Sequence, residues 1–91
     1  MVGSHIYTYI DIIRCFTRHR INAKDFANVY TIIYLRCSGK MKHEEYEALN
    51  NLYYYVEDYY DDPSMRDEGD PDETKLLKEA AETLHKLEKL L

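Results

Sequence analysis

Apolar residues recur every three or four positions in four separate runs, and the breakers Gly39, Pro63, Gly69 and Pro71 fall between those runs rather than within them. Each run can bury one stripe only as a helix, because a strand would need alternation at every second residue. In the first run Ile6, Tyr9, Ile10, Ile13 and Phe16 share a face while Asp11, Arg14 and Arg18 fall opposite, which predicts a helix over 6–17. Its β-branched isoleucines lower its intrinsic propensity, so this helix depends on packing. Asn22 then supplies a cap with Asp25 in the first turn. Phe26, Val29, Tyr30, Ile33 and Cys37 carry the second run to about Cys37, where Ser38 and Gly39 stop it. So short a link requires the first two helices to pack antiparallel.

The third run starts near Lys42 or His43, with Glu44, Glu45 and Glu47 near the positive end of the helix dipole. Tyr46, Leu49, Tyr53, Val56 and Tyr60 form its predicted stripe, widened by Leu52 and Tyr59, and Pro63 ends it by Asp62. The fourth run reads as capped by Asp70, with Pro71 at the first helical position and Glu73 completing a capping box. Leu77, Ala80, Leu84, Leu87 and Leu91 make its seam to the C-terminus. The expected architecture is all-α, a small antiparallel four-helix bundle in a single domain over residues 1–91.

No apolar run reaches the roughly 18 to 20 residues a membrane span needs, and the start lacks the basic and small-residue elements of a secretory signal. A cytoplasmic protein with no membrane partner is expected. Cys15 and Cys37 form no C-x-x-C motif and read as two buried, reduced thiols. Charge is more informative. Residues 1–42 carry seven Lys/Arg against two Asp/Glu, residues 43–74 one against twelve, and residues 75–91 four against three. A segment of net charge −11 in a chain of net −5 repels phosphate backbones and steers basic proteins toward contact, so no direct nucleic-acid partner is expected.

The acids concentrate in NLYYYVEDYYDDPSMRDEGDPDE, residues 51–73, together with five of the ten tyrosines. A calcium loop fails on register: with Gly69 at the sixth position, Ser64 and Lys75 fall at the first and twelfth, where acids are required. His5, His19, His43 and His85 lie in four separate regions, and three scattered glycines build no phosphate loop. The expectation is therefore no enzyme, no cofactor and no metal site. Tyr53, Val56 and Tyr60 fall on the predicted core stripe, whereas Tyr54, Tyr55 and Asp58 point elsewhere. Tyr55 and Tyr59 are one turn apart, as are Asp58 and Asp62, giving a ridge of rings beside carboxylates. Such a ridge is either a solvated face with surplus aromatics or an anchor for a Lys/Arg-rich partner, and the residues alone leave both readings open. Arg66 reads as an internal clamp on the acidic loop.

Leu49, Leu52, Tyr53, Val56, Tyr59-Tyr60, Asp62-Pro63, Arg66-Asp67-Glu68, Asp70, Asp72-Glu73 and Leu76 form a pattern that resembles the colicin D immunity-like family. Those bacterial self-protection proteins include immunity proteins of contact-dependent growth inhibition systems. Phe16 closing an aliphatic helix and Ala23-Lys24-Asp25-Phe26 opening the next extend the likeness over about residues 6–91. The resemblance implies a helical bundle, encoded beside a toxin, that binds the toxin's nuclease domain and blocks its basic, transfer-RNA-cleaving site. By position in the motif it implies partner contacts at Asp58, Asp61, Asp62, Asp67, Glu68 and Asp70, beside the anchors Tyr55 and Tyr59 read from the helix. The chain departs from the family pattern in its dense tyrosines and basic first two helices. The free protein is expected to be a monomer or weak dimer. A second reading, from a different class, is a self-associating helical module whose basic N-terminal half meets the acidic middle of another copy.

Overall fold

A computed structural model describes residues 6–37, 42–60, 62–65 and 69–90, with only the backbone described at Cys37 and Pro63. It contains α1 (Ile6–Thr17), α2 (Ala23–Cys37), α3 (His43–Asp58), a 3-10 turn at Pro63–Met65, and α4 (Glu73–Lys89). The expected all-α bundle is observed: α1 and α3 each pack against both α2 and α4, and all four helices contribute to one core.

The core has an aromatic spine. Phe16 stacks on Phe26 with ring centroids 4.3 Å apart, and Tyr9 meets Tyr30 edge-on at 5.5 Å, so contacts descend α2 as they climb α1. Tyr34 continues the column by stacking on Tyr53 of α3 at 4.1 Å. Burying so many tyrosines requires partners for their hydroxyls. The Tyr30 hydroxyl donates to the Leu49 carbonyl at 2.6 Å, and Tyr34 donates to Asn50 Oδ1 at 2.5 Å.

Burial holds the Tyr30 hydroxyl far above its ordinary pKa of 10.0, with neighbouring Tyr9 and Tyr34 adding to the effect. A group whose folded pKa is raised contributes stability that is complete below its unfolded pKa and is lost as pH rises above it. Alkaline unfolding is therefore expected to begin near pH 10, where an unfolded tyrosine ionises, and Tyr30→Phe should flatten the stability loss above that pH. Denaturant midpoints measured between about pH 8 and 11 check this. An identical decline in both proteins would refute the linkage.

The buried stripes are rotated from those expected in three helices. All five positions of α1 are buried as predicted. In α2 Phe26 and Tyr30 are buried and Ile33 is half-buried, but Val29 is exposed and Tyr34 takes a core place. In α3 the centre is Glu45, Ala48, Leu49, Leu52 and Val56, whereas Tyr46 and Tyr60 are exposed and Tyr53 is half-buried. With the ring positions of the core already filled by Tyr9, Tyr30 and Tyr34, the α3 tyrosines sit at the rim and the smaller Ala48, Leu49, Leu52 and Val56 face the middle. In α4 the line is Leu76, Ala80, Thr83 and Leu87, with Leu77 and Leu84 half-buried. Leu91 lies outside the described residues. Cys15 is half-buried and free rather than fully buried, and the side chain of Cys37 lies outside the described residues.

Helix ends follow from local hydrogen bonding. Asn22 caps α2 as expected, its Oδ1 accepting from the Asp25 N–H at 2.7 Å. At α3 the buried Glu45 reaches back to accept from the Lys42 N–H at 3.3 Å, half of a capping box that a lysine cannot reciprocate. The cap of α4 is Asp72, not Asp70: its carboxylate accepts from the Lys75 N–H at 2.8 Å. Pro71 precedes that cap instead of starting the helix, and is buried at staple spacing from Leu76. α3 stops at Asp58, ahead of the limit set by Pro63.

α1 closes with a Schellman motif, in which the Arg20 N–H reaches the Cys15 carbonyl at 2.8 Å and the His19 N–H reaches Phe16 at 3.0 Å. This geometry puts His19 at φ 60°, a position that favours glycine. His19→Gly is expected to raise stability by up to about 1 kcal/mol, checked by urea titration, because the relief of left-handed strain exceeds the added unfolded-state entropy. A lower midpoint would contradict it.

Candidate partner-binding groove

α3 and α4 run antiparallel, since Glu44 and Glu47 meet Lys89 and Leu90 at one end while Tyr55 meets Lys75 toward the other. Each helix carries a second stripe beside its buried one: Asn51, Tyr54, Tyr55 and Asp58 on α3, and Glu79, Glu82, Thr83 and Lys86 on α4. Both stripes have the spacing of a single helix face, so where the two helices abut they wall a groove of about 390 Å³. Tyr54, Asp58, Glu82 and Lys86 are exposed, Tyr55 and Glu79 half-buried, and Thr83 forms the buried floor.

Lys75 organises one side of this groove. Its Nζ lies 3.1 Å from Glu79 Oε2 and 5.5 Å from the centre of the Tyr55 ring. The hydrogen bond to Glu79 raises the Lys75 pKa, and the cation lies over the aromatic face. Lys75 pairs with Glu79 and lies over Tyr55, while Asp58 and Glu82 are exposed to solvent. Rigid aromatic area beside exposed acids suits contact with Lys and Arg side chains.

The sequence-predicted residues divide. Tyr55 and Asp58 line the groove. Tyr59 follows the end of α3 and packs half-buried against the core. Asp62 lies in the next turn, where its Oδ1 accepts from the Ser64 N–H at 3.0 Å and from Ser64 Oγ at 2.9 Å. Asp70 is half-buried and Pro71 buried ahead of α4. Asp61, Arg66, Asp67 and Glu68 lie outside the described residues. Sequence reasoning did not select Asn51, Glu79 or Glu82. The spacing of Glu79, Glu82 and Lys86 marked one polar face of α4, but which helix that face adjoins depends on packing. The opposite charge gathers at α1, where Asp11, Arg14, Cys15, Arg18 and Arg20 line a shallow pocket of about 240 Å³. Arg14 there bridges to Glu88 of α4 at 2.7 Å.

Among the described residues no group of three His, Cys, Asp or Glu side chains is placed to hold a metal ion, and no helix is long and apolar enough to cross a membrane. The groove is an open charged surface on a helical bundle. Residues 4–87 match the family described as bacterial self-protective colicin-like immunity, and the chain belongs to that family. No curated protein and no solved structure matches it.

Proposed function

We propose that this chain is a non-enzymatic immunity protein that neutralises a cognate bacterial nuclease toxin by laying the α3/α4 groove and the acidic loop between those helices over the toxin's basic active-site region. The observation that carries this reading is the convergence of Asp58, Glu79 and Glu82 beside Tyr54 and Tyr55 from two helices. Acids in that setting stand in for substrate phosphates, and the flanking rings exclude water and slow release. The family resemblance supports a transfer-RNA-cleaving toxin as the partner and the bacterial cytoplasm as the place of action. Co-purification with a candidate cognate nuclease toxin domain, followed by an RNA-cleavage protection assay, tests the proposal. A stable complex and protection near a one-to-one ratio are expected; cleavage undiminished at excess immunity protein would overturn it.

A further inference from the structure

The outward face of α2 carries a pattern that the bundle does not use. Asp25, Asn28, Val29, Ile32, Leu35 and Arg36 are all exposed, and their spacing places them on one arc of the helix, away from the buried Phe26, Tyr30 and Tyr34. Ile32, in the middle of the arc, exposes 53% of its surface and is flanked by Val29 at 39% and Leu35 at 69%, so the arc is largely apolar and solvated. Its two ends carry opposite charges. Asp25 and Arg36 lie equally far from the midpoint between Tyr30 and Thr31, about 8 Å each at the usual helical rise, and Val29 and Ile32 lie symmetrically inside them.

A surface with that arrangement is complementary to itself under a twofold rotation. We propose that α2 packs antiparallel against α2 of a second copy of this chain, forming a homodimer. The Asp25 of each copy faces the Arg36 of the other, and each Ile32 packs on the opposing Val29. Antiparallel pairing also sets the two helix dipoles head to tail. α2 meets α4 only across the bundle diagonal, so both α3/α4 grooves stay open in the dimer. This surface differs from the acid-to-base contact considered from the sequence, and it does not depend on the proposed toxin binding.

Sedimentation velocity across a concentration series tests the pairing. The unmodified protein should dimerise reversibly, and Ile32→Glu should raise the dimer dissociation constant by at least about tenfold, since it puts a charge at the apolar centre. Asp25→Arg alone and Arg36→Asp alone should each weaken the dimer by setting like charges opposite. An equimolar mixture of those two variants should recover dimer close to the unmodified level, because both contacts in the mixed dimer are again attractive. Circular dichroism confirms that each variant is folded. A protein that stays monomeric up to about millimolar concentration, a dimer indifferent to Ile32→Glu, or a mixture that fails to recover would each overturn the proposal.

Discussion

Reversing charge at Asp58, Glu79 and Glu82 together, each to Lys, is expected to slow association with the proposed toxin nuclease partner by roughly 10- to 1,000-fold at low salt. The effect should shrink as ionic strength rises, because the screening length falls to about 10 Å at 0.1 M. Stopped-flow association at two salt concentrations reads it directly. Exposed Asp58 and Glu82 carry most of the expected change, whereas Glu79 already shares Lys75 at 3.1 Å. Reversing Asp61, Asp62 and Asp67 makes the informative comparison. Asp62 lends a carboxylate oxygen to Ser64, so its replacement unlatches a turn as well as removing charge. Rates lowered by the loop variant but untouched by the groove variant would move the contact off α3/α4 and refute the groove as the docking surface.

The largest effect on folding should come from Phe26→Ala, expected to cost about 3 to 5 kcal/mol. Phe26 is fully buried, stacked on Phe16 at 4.3 Å and tilted against Tyr30 at 5.6 Å, so its removal interrupts the spine where α1 meets α2. α1 has no strong propensity of its own and relies on that contact. For a chain this short the loss corresponds to a fall in melting temperature of roughly 15 °C or more, measurable by circular dichroism. Tyr7→Ala, on the same helix but 60% exposed, should shift the transition by only a degree or two and serves as the control. Equal losses from the two substitutions would mean that the spine does not carry α1.

The family match places this chain among colicin-like immunity proteins, and its pattern was legible in the residues from Leu49 to Leu76. The extents of α1 and α2 were equally legible from apolar spacing and the Asn22 cap, although in α2 the buried face turned out to include Tyr34 and to leave out Val29. α3 misled because its most conspicuous residues are tyrosines, which suit a half-buried rim as well as a core. Asp70 misled because Asp72 offers the same capping chemistry two residues later and lets Pro71 be buried.

What the sequence determined by itself is local: four amphipathic helices, the ends of α1 and α2, and an acidic middle segment. These follow from side-chain chemistry within a turn or two of the chain. Which side of α4 lies beside α3 was decided only in the tertiary structure, because helix rotation is set by how Ala48, Leu52, Ala80 and Leu87 fill a shared core. That packing carried Glu79 and Glu82 to the edge of Tyr55, more than twenty residues away in the chain, and made one groove from two polar faces.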